Sequence, residues 1–274
     1  MLGAPDPLYV AAREALLDAL QAVGAHRDAL VLVGAQAVYV HAGEAGLAIA
    51  PFTTDADLAI DPNRLGPDPL LENALTAACF EGKAVGIWMR TIEMNEGPRP
   101  VSVDFLVPDS LGGEGRRGAR IPPHGQDVAR KVVGLEATLV DNERQEIVAL
   151  GSGDERRFEL SVAGPAALLV AKVHKIMDRA DETRRLKDKD ALDVYRLLQA
   201  VPTEKLAEQL KKLGENEISV AVTQAALAEL PRLFGRLDAP GCQMAVRATE
   251  ALLPGSTMAA SIVALTNDLL AERY

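Results

Sequence analysis

Asp55 and Asp57 stand two residues apart in the run Thr54-Asp55-Ala56-Asp57-Leu58, and a third acid, Asp104, interrupts the apolar run Val101-Ser102-Val103-Asp104-Phe105-Leu106. In a β-strand, residues two apart point to the same face and lie about 7 Å from each other. Two carboxylates so placed repel unless a cation lies between them, and magnesium, which takes a few carboxylates together with substrate phosphates, suits the position. An acid inside an apolar strand is costly to bury unless it is paired, hydrogen-bonded or metal-bound. A neighbouring strand that brings Asp104 to the same metal site would explain it. Two metals held about 4 Å apart by three carboxylates can orient a nucleoside triphosphate, lower the pKa of an attacking hydroxyl and stabilise pyrophosphate as it leaves. The alternative is that Asp55 and Asp57 are strand-edge acids facing solvent and that Asp104 caps a turn.

These acids need strands beneath them, and the pattern supplies strands. Ala29 to Val33 is a short apolar, β-branched run that stops at Gly34 and reads as a buried strand, followed by a short helix over Ala35 to Ala42. A strand ending at a glycine and opening a helix presents backbone N–H groups suited to phosphate. Taken alone, this is more often a packing turn; its interest comes from standing one helix ahead of the acidic pair. A loop through Gly43, Gly46 and Pro51 leads to a strand over Asp55 to Asp61. Apolar spacing predicts an amphipathic helix from Pro7 to Val23 and another helix from Asp68 to Phe80, and two strands are expected over Ala84 to Met94 and Val101 to Val107, joined by a turn through Asn95 to Pro100. Ser110 to Gln126 reads as a long loop, and two or three short strands are expected in Glu136 to Val162.

Beyond Gly164 and Pro165 the pattern is helical throughout: Ala166 to Arg179, Asp188 to Ala200, Thr203 to Leu213, Ile218 to Phe234, and two more after Pro240 and Pro254. Lys172, Lys175 and Arg179 share one helix face, and Asp190 and Asp193 share a face of the next. Opposite charges on facing helices could simply pair as a salt-bridge network between domains. His174 reads as a helix-face residue without a catalytic role.

Among 274 residues, 48% are hydrophobic, 25% charged and only 4% aromatic, which suits two globular domains with Ala, Leu and Val cores. The net charge of −10 argues against wholesale nucleic-acid binding. Positive charge is gathered in two places: eight Lys and Arg against six acids from Lys172 to Arg196, and five against two from Gly112 to Lys131. The runs Arg184-Arg185-Leu186-Lys187-Asp188-Lys189 and Arg116, Arg117, Arg120 are therefore candidate acceptor contacts, with a solvated basic surface as the plainer reading. Two distant cysteines, Cys79 and Cys242, and four histidines at unhelpful spacings argue against a structural zinc site. No basic leader precedes an apolar stretch and no apolar run is long enough for a membrane span, so the chain reads as cytoplasmic.

The order Gly34, then Asp55 with Asp57, then Asp104 resembles the nucleotidyltransferases of the DNA polymerase beta superfamily: strand-Gly-Gly/Ser-helix, Asp-x-Asp, then a third Asp on a later strand. Within it the chain looks most like the AbiEii-type toxin and toxin-like nucleotidyltransferases, in which a threonine, here Thr54, commonly precedes the Asp-x-Asp and a helical domain follows. The resemblance spans about the first two-thirds of the chain and departs from the pattern at Ala35, which lacks the usual second Gly or Ser. It implies an α+β fold, a nucleotidyltransferase-type mixed β-sheet with flanking helices in residues 1–163, followed by an all-helical C-terminal domain in residues 164–274. It implies Asp55, Asp57 and Asp104 as ligands of Mg2+ or Mn2+, and Gly34, Ala35, Gln36 and Thr54 as the cradle of the triphosphate. AbiEii-like proteins also carry a helical lysine followed by a basic-Asp-x-x-Asp stretch. Lys172 and Lys189-Asp190-Ala191-Leu192-Asp193 stand in that order, which implies Lys172 at the β- or γ-phosphate and Asp190 at the base or acceptor, with Asp193 structural. The implied reaction is NMP transfer from an NTP to an acceptor hydroxyl on a tRNA end or a protein, in a toxin and antitoxin setting with a cognate antitoxin as partner. Two other readings stand beside it: modification of a small molecule such as an aminoglycoside, for which the acidic surface is suited, and a nucleotide-binding or partner-binding protein that has lost catalysis.

Overall fold

A computed structural model describes residues 5–43, 52–94, 97–179, 188–249 and 255–272. The expected loop through Gly46 and Pro51, the basic residues Arg184, Arg185 and Lys187, residues 95 and 96 of the expected turn, and Pro254 lie outside the described residues. Contacts divide the chain into two units: Met1–Gln36, Ala50–Val132 and Asn142–Val162 in the first, Ala37–Ile49, Val133–Asp141 and Ala163–Tyr274 in the second. The second unit thus takes two earlier segments as well as everything after Val162.

The first unit opens with α1 (Pro7–Ala22), whose start is set by the Asp6 carboxylate accepting from the backbone N–H of Leu8 at 2.8 Å, with Pro7 at the first position. Strands follow as β1 (Leu30–Val33), β2 (Asp55–Ile60), β3 (Glu81–Ala84), β4 (Ile87–Ile92), β5 (Arg99–Pro108), β6 (Arg130–Val132), β7 (Asn142–Val148) and β8 (Arg157–Ala163). Among the described residues they form one mixed sheet in the order β3-β4-β5-β2-β1-β8-β7, with β6 added beside β5. The centre is apolar because its strands are: β1 is buried at all four residues, and Leu58, Ala59, Ile60, Val103 and Phe105 are fully buried. α1 lays Ala11, Ala12, Leu16 and Leu20 on β2 and β5. The parallel pairing of β2 with β5, beside the antiparallel pairing of β1 with β2, is what makes the sheet mixed. The two ends of the sheet are β3, exposed at all four residues, and β7, mostly polar.

Helix α2 (Gly34–Ala42) starts in the first unit and runs on into the second. The rest of the second unit is helical: α4 (Glu136–Val140), α5 (Pro165–Arg179), α6 (Asp188–Ala200), α7 (Thr203–Glu215), α8 (Val220–Phe234), α9 (Pro240–Arg247) and α10 (Gly255–Ala271). Helix α5 is capped from a distance, the Asp141 carboxylate accepting from the N–H of Ala167 at 3.1 Å, and it packs against α4, α6, α7 and α8. The fold is α+β, as expected.

Four local expectations change. The helix expected from Asp68 is shorter, α3 (Leu71–Ala77), because Pro69 disfavours helical backbone at Asp68 and because Cys79, at φ 62°, closes the far end in the left-handed region. The strand expected over Ala84 to Met94 is the shorter β4, and a further strand, β3, precedes it and pairs with it across a turn at Gly86. Gly86 has φ +72°, and a Cβ there would lie 2.6 Å from the Phe105 carbonyl oxygen. An unexpected strand, β6, follows the long loop, and the first part of Glu136 to Val162 is α4, whose Glu136 carboxylate accepts from the N–H of Gly134 at 2.9 Å.

Candidate active site

Strand register places the three acids on neighbouring strands. On the parallel strands β2 and β5, Asp57 lies opposite Asp104 and Asp55 opposite Ser102, with neighbouring strands about 4.8 Å apart. Asp55 and Asp57 share a face by alternation, and Asp104 joins it through its cross-strand partner Asp57. Asp57 and Asp104 are each 7% exposed. On its other side Asp57 pairs with Val33, the last residue of β1, so the next residue, Gly34, turns past the carboxylate. The space is closed to any other residue type: Gly34 has φ +70°, and a Cβ on it would sit 2.0 Å from Asp57 Oδ2. A glycine here is required twice, by its backbone and by Asp57.

Each acid is held differently. Asp104 Oδ2 accepts from Arg130 Nη2 at 2.8 Å, and Arg130 reaches it because β6 pairs with β5 two residues further on, Leu106 opposite Arg130. Asp55 Oδ1 accepts from Thr53 Oγ1 at 2.5 Å, and Thr53 is fully buried while Thr54 is exposed. The Asp57 carboxylate receives no hydrogen bond or ion pair among the described residues. A carboxylate this buried is unfavourable without a counter-charge, and a divalent cation would supply one. No group of three or more His, Cys, Asp or Glu side chains converges on one point among the described residues. Asp55 with Asp57 nevertheless fits magnesium, which needs one or two carboxylates when substrate phosphates complete the shell.

Gly34, Ala35 and Gln36 form the first turn of α2. Ala35 is buried, and the Gln36 side chain bridges Arg13 and the backbone of Asp55 rather than facing outward: Gln36 Oε1 accepts from Arg13 Nε at 2.8 Å and Gln36 Nε2 donates to the Asp55 carbonyl at 3.2 Å.

In the second unit, Lys172 is 3% exposed, and its ammonium donates to Asp190 Oδ1 at 2.9 Å and Asp193 Oδ2 at 2.7 Å. Lys175 lies 3.5 Å from Asp190, and Arg196 lies 3.3 Å from Asp193 with its guanidinium 4.9 Å from the Tyr39 ring centroid. Burial alone would lower the Lys172 pKa, but Asp190 and Asp193 more than reverse this and hold it above the ordinary lysine value. The opposite charges expected on facing helices do pair, within one unit. The Arg179 side chain lies outside the described residues.

Arg116, Arg117 and Arg120 are exposed on the segment before β6. Lys131 straps that segment down, donating to the carbonyls of Gly113 and Gly115. His174 Nε2 lies 2.8 Å from the Val222 carbonyl, a helix-to-helix tie. Although sequence spacing pairs no histidines, His26 and His124 meet edge to face at 5.5 Å, each with its Nε2 on a loop carbonyl, Pro69 and Gly66.

A family model described as nucleotidyltransferase matches residues 12–219, three-quarters of the chain and the whole set of acids. The chain belongs to this nucleotidyltransferase family. No curated protein matches the chain, and no solved structure does. The nucleotidyltransferase is therefore a transferase of nucleotidyl groups that takes a nucleoside triphosphate as substrate. No described helix is long and apolar enough to cross a membrane. Sequence reasoning missed Arg13, Thr53 and Arg130. Thr53 had a signal, since alternation sets it, and not Thr54, on the same side as Asp55 and Asp57.

Proposed function

We propose that this nucleotidyltransferase moves a nucleoside monophosphate from a triphosphate to an acceptor hydroxyl in a metal-dependent step at the Asp55, Asp57 and Asp104 face. The observation that carries this reading is the seating of the Asp57 carboxylate against Gly34 and opposite Asp104. Asp55 and Asp57 would hold Mg2+ or Mn2+, and the chemistry such an ion would supply there is neutralisation of the phosphates, a lowered pKa for the acceptor hydroxyl and stabilisation of the pyrophosphate leaving group. The N–H groups of the Gly34-Ala35-Gln36 turn receive the triphosphate, where the helix dipole favours negative charge. Asp104, fixed through Oδ2 by Arg130, completes the acidic face and takes the proton of the acceptor hydroxyl.

Lys172 and Asp190 receive a different reading from the one the resemblance implies. With both carboxylate partners bonded and almost no exposure, Lys172 pins α5 to α6 and keeps the helices in place, and its effect on transfer is indirect. The acceptor we favour is a tRNA end or a protein, in the toxin-like manner of AbiEii-type enzymes, in the cytoplasm and under the control of a cognate antitoxin. The exposed arginines at 116, 117 and 120 support the tRNA choice, because phosphate contacts come mainly from such cations.

The test is incubation of the purified protein with Mg2+ and each α-labelled nucleoside triphosphate, with total tRNA, a protein extract or an aminoglycoside panel as acceptor, beside an Asp55→Ala control. Label in the tRNA or protein pool that disappears in the control supports the proposal. Label in the aminoglycosides alone replaces it with small-molecule modification, and bound triphosphate without transfer replaces it with a non-catalytic binding protein.

A further inference from the structure

Arg13 is a buried charge without a carboxylate. It is 4% exposed on the inner face of α1, and among the described residues its guanidinium meets neutral acceptors only: Gln36 Oε1 from Nε at 2.8 Å, the Val148 carbonyl from Nη1 at 2.9 Å and the Tyr9 hydroxyl from Nη2 at 3.1 Å. Burying a guanidinium without a counter-ion is unfavourable, and a simple packing role would be served by an apolar residue. The geometry suggests another role. Arginine can only donate, so the amide oxygen of Gln36 must face it and the amide nitrogen must face the other way, toward the Asp55 carbonyl 3.2 Å away. Arg13 thereby sets the direction in which Gln36 points its one donor toward the metal-bearing strand. The same turn that supplies Gln36 supplies Gly34, whose α-carbon abuts the carboxylate of Asp57. Residues 34–36 therefore grip β2 at two alternate positions, through a contact at Asp57 and a hydrogen bond at Asp55.

We propose that Arg13 and Gln36 are positioning residues for the divalent-cation site: Arg13 orients the Gln36 amide, and the amide holds the Asp55 backbone so that the Asp55 and Asp57 carboxylates present one fixed geometry to the cation. The inference rests on the metal reading of these acids given above. It also gives Gln36 a role through its side chain that differs from direct contact with the triphosphate.

Gln36→Glu separates this role from its alternatives. The carboxylate keeps the bond from Arg13 and turns it into an ion pair, but it has no donor for the Asp55 carbonyl. Mn2+ binding is measured by calorimetry and by the electron paramagnetic resonance of free Mn2+, without nucleotide, on the full chain as wild type, Gln36→Glu, Gln36→Met and Asp57→Asn, with thermal unfolding of each in EDTA. The expected result is that Gln36→Glu unfolds at or above the wild-type temperature yet binds Mn2+ about 10- to 100-fold more weakly, the range for loss of an outer-shell partner. The sign is informative, because an added negative charge acting only through its field would tighten cation binding. Equal or tighter Mn2+ binding by Gln36→Glu, with wild type bound and Asp57→Asn not, overturns the positioning role and leaves the metal site standing. Where wild type binds Mn2+ only with a non-hydrolysable nucleoside triphosphate present, the same comparison of variants is made in its presence, and no Mn2+ binding by wild type under either condition overturns the metal reading and this inference together. If Gln36→Glu does not fold, the uncharged Gln36→Met must show the weakened binding in its folded fraction, and wild-type affinity there overturns the proposal equally.

Discussion

Asp190 and Asp193, each 1% exposed, sit with Lys172, Lys175 and Arg196, whereas Asp55, Asp57 and Asp104 share a strand face at which Arg130 pairs with Asp104. The residue types are the same in both places. In the helical unit two carboxylates are matched by three cations and closed off, which leaves the cluster little to offer a ligand. On the sheet Arg130 pairs with Asp104, while the Asp57 carboxylate is bonded to no cation among the described residues. An acid-rich motif in a sequence therefore has two physical meanings, and the charge balance after folding separates them.

The sharpest way to break this contrast is to neutralise one acid on each side. Asp57→Asn should reduce nucleotidyl transfer to background while leaving stability in EDTA within about 1 kcal/mol of wild type or above it, since a buried unpaired carboxylate is relieved rather than lost. Transfer assays with urea unfolding would show it, and retained transfer would remove Asp57 from the site. In the helical unit Lys172→Met should cost about 3–5 kcal/mol by leaving two buried carboxylates uncompensated; a variant as stable as wild type would end the description of that cluster as a structural pin.

Gly34→Ala falls next. A left-handed alanine costs about 1–2 kcal/mol before the overlap with Asp57 is counted, so a loss of more than about 2 kcal/mol is expected, together with loss of Mn2+ binding. A destabilised protein that still bound Mn2+ normally would separate Gly34 from the metal site. Alkaline pH probes the pin in another way. Because Lys172 has a pKa raised in the folded state, its stabilisation is fully present below the unfolded value of about 10.4 and declines as pH rises from there toward the folded value. Unfolding free energy measured from pH 8 upward should therefore bend down above about 10.4 in wild type, and less so in Lys172→Met. Smallest of all, Arg247→Ala removes the half-exposed pair with Asp188 at the start of α6, and its cost should stay below about 1 kcal/mol. A larger loss would mean that exposure does not govern the worth of ion pairs on this helix.

Much of the site was legible because it is written in short-range patterns. Alternation around Asp55 and Asp57, an acid within the apolar run of β5, and a glycine where β1 ends each needed only a few neighbouring residues to be seen. What escaped depends on distant pairing. Arg130 reaches Asp104 through β6, three residues too short to show strand periodicity that follow a loop rich in Gly, Arg and Pro. Strand β3, Glu-Gly-Lys-Ala, has no apolar alternation at all and exists because β4 pairs with it. Arg13 follows Tyr9 by four residues on the buried face of α1, but helical spacing does not reveal that a cation would be accepted there. Lys172, Asp190 and Asp193 were placed on the correct helices, yet their complete burial, which decides what they do, follows only from the packing of α5 against α6.

The two ends of the sheet carry a consequence for life at high concentration. An open strand edge invites a second chain to add its own strand, and long apolar edges are where that recruitment turns into aggregation. Here one edge is the four-residue β3, with Glu81 and Lys83 exposed, and the other is β7, which displays Glu143, Arg144 and Glu146. The acids at the middle of the sheet thus lie on strands that never form an edge, and the strands that do are short or charged enough to discourage a stranger from pairing with them.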